Sequence, residues 1–162
     1  RSAVPLIAGY DNLLVVQTFS KSRSMAGMRI GFALGQAPLI KAMSDIKYSY
    51  NSYTMNLPSQ VAGVKALEDE EYFQSTLKKV IETREKAKTR LSALGFTFPD
   101  SRANFIFAKH KEKPAEEIFQ ALKERQIFVR HFNQPRIHDY LRITVGTDEE
   151  MEALFAFLEE YL

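Results

Sequence analysis

Two short apolar runs near the N-terminus constrain the fold of this 162-residue chain more than any other feature. Residues 13–17 open with four consecutive aliphatic side chains, and residues 29–34 form a second run that Gly35 closes. Continuous apolar runs of this length are typical of parallel strands buried on both faces of an α/β sheet. Two such strands are too few for a whole sheet, so we expect them to be the remnant of a larger one.

The rest of the chain alternates between helical and extended patterns. Residues 18–27 are small and polar, which predicts a loop. Helices are expected after Pro38, Pro58 and Pro114, because proline suits the first helical turn. Four acidic residues at 68–71 predict a break in the long helix that follows Pro58. Further strands are expected at 96–98, 104–108, 127–130 and 140–145, and Thr147 and Glu150 form a capping-box pattern for a last helix.

This pattern predicts an α/β protein with two parts. Residues 1–55 are expected to be the C-terminal edge of a larger domain, and residues 56–162 a long helix with a complete small α/β domain. The chain begins without an initiator methionine and enters structured-looking sequence at once. We therefore expect it to be the C-terminal portion of a longer protein.

Composition excludes several classes of function. The chain has no cysteine, so disulfide scaffolds, cysteine-based metal sites and cysteine nucleophiles are excluded. The net charge is only +2, which argues against a nucleic-acid partner. No apolar run suggests a membrane span or a signal peptide, and a cytoplasmic location is expected. The three histidines lack metal-ligand spacing and are read as surface residues, so no metal is expected.

The excess of positive over negative side chains lies early in the sequence. Residues 1–50 carry six Lys or Arg against two Asp or Glu. Lys21 follows the first apolar run, Thr18 and Ser20 precede it, and Arg29 opens the second run. Hydroxyls and a guanidinium can converge on a phosphate, and a lysine among cations becomes a usable nucleophile. An aldehyde cofactor that carries a phosphate needs both features, although a solvated loop is the alternative.

The run from Thr18 to Gly31 strongly resembles the lysine segment of fold-type I pyridoxal-phosphate aminotransferases, T-x-S-K-x-x-x-x-A-G-x-R-x-G. Within these it is most similar to the histidinol-phosphate aminotransferases. The resemblance implies that Lys21 forms the Schiff base with pyridoxal 5'-phosphate and moves the substrate proton. It also implies that Thr18, Ser20 and Arg29 hold the cofactor phosphate. For Thr18, a hydroxyl that bonds its own backbone is an equal alternative.

Three further positions match the same family. The segment 140–147, YLRITVGT, is similar to the one whose arginine clamps the substrate carboxylate, which implies that role for Arg142. Arg130 matches an arginine on the strand that binds the substrate's phosphate end, although the family often has aspartate where this chain has His131. Asn104 lies in an S-x-A-N-F pattern and is implied to border the substrate carboxylate. A surface arginine paired with an acid, and an asparagine satisfied by backbone, are the alternatives.

The resemblance implies transamination of L-histidinol phosphate with 2-oxoglutarate in histidine biosynthesis, by a homodimer that binds small molecules. It covers only the C-terminal half of the family, and other cofactor ligands lie upstream, so we expect little activity from this chain alone. The alternatives are a threonine-phosphate decarboxylase, an aromatic aminotransferase, or a separately folding module that associates through exposed apolar surface.

Overall fold

The computed structural model describes residues 2–162. The chain divides into two compact units, Arg1–Gln74 and Ser75–Leu162. Each contains its own small sheet with helices, so the predicted α/β class is confirmed. The assignment of residues 1–55 to the edge of a larger domain stays a prediction.

The sheet of the first unit has two strands, β1 (Leu14–Thr18) and β2 (Gly31–Gly35). They pair antiparallel, with Leu14 opposite Gly35 and Thr18 opposite Gly31. The prediction of parallel strands was therefore wrong. A parallel pair needs a crossover, usually a full helix, whereas the segment between β1 and β2 makes two short helical turns and folds straight back. Burial on both faces is also not seen within this chain, since Val16 is 63% exposed.

Helices make up the rest of the first unit. A 3-10 helix covers Val4–Gly9, and α1 (Phe19–Ser22) and a 3-10 turn at Ala26–Met28 lie between the strands. After β2 come α2 (Ala37–Tyr50) and α3 (Leu57–Glu68), which the Asn56 side chain caps by accepting from Ser59 N at 2.8 Å. The helix α4 (Glu70–Ala93) follows after Asp69 alone. The predicted break at the acidic cluster is thus confirmed.

The second unit has a four-stranded antiparallel sheet in the order β3–β4–β6–β5. Its elements are β3 (Phe96–Thr97), β4 (Phe105–His110), α5 (Ala115–Glu124), β5 (Arg130–His131), β6 (Leu141–Thr144) and α6 (Asp148–Tyr161). The capping box predicted for the last helix is confirmed: Thr147 Oγ1 accepts from Glu150 N, and the Glu150 carboxylate accepts from Thr147 N.

The two faces of this sheet differ in character. Ile106, Leu141 and Ile143 are at most 2% exposed and belong to the core formed with the helices. Alternate residues point the other way, because side chains along a strand alternate between faces. Arg142 and Thr144 are exposed, and Phe107 is half-buried on that second face. The strand pattern therefore separates an apolar core from a face that can meet a ligand.

Candidate active site

Lys21 lies in α1, directly after the end of β1, and its side chain is exposed. The predicted loop at residues 18–27 was wrong at this point, because a short helix forms there. Thr18 explains it: its Oγ1 accepts from Ser20 N at 3.3 Å and caps the helix. Thr18 thus makes the local backbone bond that the sequence left open as an alternative, while Ser20 and Lys21 follow in the first turn.

The segment between the two strands, residues 18–31, is called here the lysine loop. Phe19 N donates to Ile30 O at 3.1 Å, and Met25 N donates to Phe19 O at 3.1 Å. These bonds close the loop on itself at the end of the β1–β2 ladder. The structure therefore brings Lys21 and Arg29 to the same end of the sheet, although they are separated in sequence.

Arg29 has an unusual backbone conformation, with φ 56° and ψ 36°. This left-handed region is costly for a residue with a side chain and is found mainly where the surroundings enforce it. The Arg29 guanidinium donates from Nη1 to Ala26 O at 3.0 Å and is otherwise exposed. A strained position that carries an exposed cation is typical of a binding site.

Arg23 has a structural role that the sequence did not show. Its side chain is 13% exposed. Nη1 donates to Ala66 O at 2.7 Å, Nη2 donates to Glu70 Oε2 at 3.1 Å, and the guanidinium lies 3.8 Å from the centre of the Phe73 ring. Hydrogen bonds from Gln74 and then from Arg23 lower the pKa of Glu70. Arg23 is thus an anchor for the lysine loop.

Arg130 and Arg142 lie directly opposite each other across the β5–β6 ladder. Directly paired residues share one face of the sheet, and like charges in such a pair repel. Both side chains are exposed. In the described part of the chain neither guanidinium has a carboxylate within 4.0 Å. Guanidinium groups in this arrangement are free to bind the oxygens of an anion.

Aromatic rings surround these two arginines. The Phe132 ring centre is 5.3 Å from the Arg130 guanidinium and 5.8 Å from that of Arg142. Phe107 stacks on Tyr140 at 4.6 Å and meets Phe132 edge-on. We call this surface, formed by Phe105, Phe107, Arg130, Phe132, Tyr140 and Arg142, the arginine face. The aromatic rings lie against the two guanidinium groups and replace part of the water around them. The charges of Arg130 and Arg142 are therefore less screened than in open water.

Asn104 lies directly before β4, and its backbone carbonyl accepts from Val145 N at 2.9 Å. The buried Arg84 side chain donates to Ala103 O at 3.2 Å. Ser101 Oγ donates to Phe105 O at 2.5 Å. These bonds fix the turn that carries Asn104. Arg84 was not found from sequence, because its partner lies 19 residues further along the chain.

Two of the three histidines are not the surface residues that the sequence predicted, since His110 and His131 are half-buried. The side chain of His131 is 7% exposed and that of His138 is 60% exposed. The prediction considered only the missing metal-ligand spacing, whereas the position of His131 in β5 turns its side chain toward α5. No group of three or more histidine and acidic residues within 2–162 is arranged to hold a metal ion.

A cavity of about 530 Å³ lies along α4 and α6 in the second unit. Several polar groups that line it are paired: Arg90 bonds both Glu152 and Glu159, and Thr83 Oγ1 donates to Asp148 Oδ1 at 2.9 Å. We therefore assign these groups to helix packing and not to ligand binding. None of the helices described in residues 2–162 combines the length and apolar character needed to cross a membrane.

Comparison with known proteins places the chain in a family. Histidinol-phosphate aminotransferase of Brachyspira hyodysenteriae is 54% identical over 151 residues, which are 93% of this chain and 43% of that relative. The protein of the same name from Lactococcus lactis subsp. lactis is 52% identical over 161 residues, 99% of this chain and 45% of the relative. The chain thus spans less than half the length of these two relatives.

A solved structure supports the shared fold. It is the histidinol-phosphate aminotransferase of Sinorhizobium meliloti in complex with pyridoxal-5'-phosphate, with a TM-score of 0.76 at 23% identity. The match covers 94% of this chain and 42% of that one. Residues 1–158 also match the family model described as aminotransferase class I and II. The chain belongs to the aminotransferase class I and II family.

Proposed function

We propose that the protein containing this chain transfers the amino group of L-histidinol phosphate to 2-oxoglutarate, with pyridoxal phosphate as cofactor, in histidine biosynthesis. The products are imidazole-acetol phosphate and L-glutamate. Family membership and the names of the relatives support this proposal. The observation that carries it is the facing pair Arg130 and Arg142, which lacks an acidic partner among the described residues.

The charge of the arginine pair suits both proposed substrates. A phosphate monoester and 2-oxoglutarate each carry about two negative charges near neutral pH, and planar guanidinium groups bind phosphate and carboxylate oxygens in the same forked geometry. In a ping-pong cycle the two substrates occupy one site in turn. Arg142 and Arg130 would therefore serve both half-reactions. Asn104, fixed before β4, would border the bound anion.

The lysine loop has the donor set that pyridoxal phosphate needs. Ser20, Arg29 and, once its capping bond is released, Thr18 would hold the phosphate, and the exposed Lys21 Nζ would hold the aldehyde carbon. When bound, the cofactor supplies an electron sink for bond cleavage at the substrate's α-carbon. Lys21 Nζ would carry the proton that leaves and returns at that carbon.

Reduction with borohydride tests the cofactor part of the proposal. The protein is mixed with pyridoxal phosphate, reduced and digested, and the modified peptide is found by mass spectrometry. We expect the adduct on Lys21, and its loss in Lys21→Arg. An exposed lysine elsewhere, such as Lys79, is the matched control. An equal adduct on Lys79, or none on Lys21, would contradict the proposed role of the lysine loop.

Substrate profiling tests the reaction. We expect glutamate to form from L-histidinol phosphate and 2-oxoglutarate faster than from phenylalanine and 2-oxoglutarate. Release of carbon dioxide from a phosphorylated amino acid without amino transfer would favour the decarboxylase alternative. A preference for phenylalanine would favour the aromatic aminotransferase. Either result overturns the proposed substrate.

We also propose that these 162 residues alone have little transaminase activity. Thr18, Lys21 and Arg29 are all exposed in the structure. Amino transfer requires a site from which water is excluded. Because these side chains are exposed, this chain alone leaves the lysine loop open to water. A turnover number close to that of the longer relatives would contradict this. The homodimer and the cytoplasmic location stay predictions.

A further inference from the structure

Three side chains of the arginine face lie in one row across the sheet of the second unit. Phe107 on β4 is the direct partner of Arg142 on β6, and Arg142 is the direct partner of Arg130 on β5. Directly paired residues of neighbouring strands project from the same face of a sheet. The row therefore places one aromatic ring beside two guanidinium groups, and the two like charges are next to each other.

Phe132 lies against every member of this row. It follows Arg130 by two residues, which is the spacing at which side chains of an extended chain return to the same face. Its ring centre is 5.3 Å from the Arg130 guanidinium and 5.8 Å from the Arg142 guanidinium. It also meets the Phe107 ring edge-on, with 6.3 Å between the ring centres and 66° between the planes. One ring thus connects both cations with the aromatic side chain beside them.

Phe132 is half-buried without being part of the core. Within residues 2–162, the half-buried apolar side chains that pack on the core of the second unit include Phe119, Val129 and Phe157, but Phe132 is not one of them. Its ring contacts lie on the arginine face instead. The ring therefore supports the two cations more than it supports the fold.

An aromatic ring beside a cation acts in two ways. The negative face of its π-system attracts the positive charge. The ring also restricts the rotamers of a long arginine side chain, so that less conformational freedom is lost when the guanidinium binds a ligand. Both effects matter for Arg130 and Arg142, because their mutual repulsion favours rotamers that separate them.

We propose that Phe132 is a positioning residue that holds the guanidinium groups of Arg130 and Arg142 together on the arginine face, where they form one anion site. Phe132 acts through the two arginines. The inference rests on the proposed function, in which both arginines bind the anionic groups of the two substrates. Loss of the ring should weaken anion binding while the chain stays folded.

The mobility of the arginine side chains tests the positioning directly. Relaxation of the ¹⁵N nuclei at Nε measures the order of each guanidinium on the picosecond-to-nanosecond timescale. In wild type we expect Arg130 and Arg142 to be clearly more ordered than Arg136, an exposed arginine of the segment between β5 and β6. Phe132→Leu removes the ring but keeps an apolar side chain, and should lower the order of both arginines. Phe132→Tyr keeps the ring and should leave their order as in wild type.

Binding of sulfate tests the consequence for an anion. The Nε–H resonances of Arg130 and Arg142 report binding at the arginine face and not at the lysine loop. We expect Phe132→Leu to weaken sulfate binding about three- to tenfold, because two cation–π contacts are lost together, and Phe132→Tyr to recover the affinity. In an Arg130→Gln background the effect of Phe132→Leu should be smaller, because one of its two cations is absent.

Phe157 provides the matched control. Its ring is half-buried, stacks on Tyr161 and lies 6.0 Å from the Arg125 guanidinium, but it packs on the core. Phe157→Leu should therefore lower the midpoint of urea unfolding and leave sulfate binding unchanged, whereas Phe132→Leu should show the reverse pattern. If both variants lose sulfate affinity in proportion to their loss of stability, Phe132 acts only on the fold and the proposal is wrong.

The outcomes distinguish this proposal from the proposed function. If sulfate binds wild type and Phe132→Leu equally, the arginine pair is an anion site but the positioning role is wrong. If sulfate binds neither, the observation that carries the proposed function fails, and the order at Nε decides on Phe132. Order in wild type that equals that of Arg136 overturns the positioning role, and higher order that is lost in Phe132→Leu supports it. If Phe132→Leu does not fold, the comparison of Arg130 and Arg142 with Arg136 in wild type serves as the test.

Discussion

Arg130 and Arg142 are direct partners in the β5–β6 ladder and carry the same charge. In the part of the chain that the structure describes, no acid compensates either guanidinium. Such a pair costs stability in the absence of a ligand, by about 0.2–1 kcal/mol for directly opposed like charges. A pair of like charges that destabilises the folded chain is expected where a bound anion offsets the repulsion between them.

We therefore predict opposite effects of Arg130→Gln on stability and on binding. The free energy of unfolding in urea at low salt should stay constant or rise by up to about 1 kcal/mol. Binding of L-histidinol phosphate should weaken by about tenfold to a hundredfold, because a charge-assisted bond is lost. Arg136→Gln, an exposed arginine in the same segment, is the control and should change neither. If Arg130→Gln destabilises the protein by more than about 1 kcal/mol, the arginine has a structural role.

The sequence predicted several local features of the fold and little of its long-range structure, and it missed the short helix that carries Lys21. The helix starts, the break before Glu70 and the capping box at Thr147 depend on nearby residues, and the structure confirms them. The antiparallel pairing of β1 with β2 was missed, because an apolar run indicates burial but not which strand will pair with it. The anchor formed by Arg23 was missed because Glu70 lies 47 residues away in sequence.

Arg23 and Arg29 should respond differently to substitution. Arg23→Ala removes a largely buried cation that bonds Ala66 O and Glu70. We expect the free energy of unfolding to fall by about 2 kcal/mol, within the range for bonds to charged groups. Urea denaturation measures this. Arg23→Lys retains the charge but not the forked geometry and should recover part of the loss. A change within about 0.5 kcal/mol for Arg23→Ala would show that the anchor is dispensable.

Arg29→Gly should separate stability from cofactor binding. Glycine adopts φ 56° without the steric cost that arginine bears there. We expect the free energy of unfolding to be unchanged or to rise by up to about 1 kcal/mol, because the flexibility of glycine in the unfolded chain offsets part of the gain. The borohydride adduct on Lys21 should form only at higher concentrations of pyridoxal phosphate. A clear loss of stability together with unchanged adduct formation would contradict a ligand-binding role for Arg29.

The cluster of Lys88, Asp100 and Glu85 should make the second unit sensitive to acid. Lys88 lowers the pKa of Asp100 from its ordinary 3.8. Hydrogen bonds from Lys88 and then Arg84 lower the pKa of Glu85 from 4.5. Folded-state pKa values below the unfolded ones give stability that is fully present above about pH 4.5. That stability is lost as the pH falls through the lowered pKa values.

We thus expect Lys88→Met to reduce the loss of thermal stability between about pH 6 and about pH 3. Lys79→Met, an exposed position on the same helix, should leave the acid profile unchanged. The melting temperature, measured across this range in dilute salt, reports the difference. Parallel curves for wild type and Lys88→Met would mean that the paired carboxylates are paired equally well in the unfolded chain.

Gly95 ends α4 in a conformation that other residues adopt at a cost. Its φ is +84°, and an added Cβ would lie 2.8 Å from Lys111 Cε and 3.2 Å from His110 Nε2. Its carbonyl also accepts from Lys111 N at 3.1 Å, which connects the helix end to the strand pair β3–β4. Gly95→Ala should lower the free energy of unfolding by about 1–2 kcal/mol.

Gly9→Ala, where the space for a Cβ is open, is the control and should change the free energy of unfolding by less than about 0.5 kcal/mol in the same urea titration. Equal effects at the two positions would show that the left-handed turn at Gly95 can relax, and that the end of α4 is not fixed by its glycine.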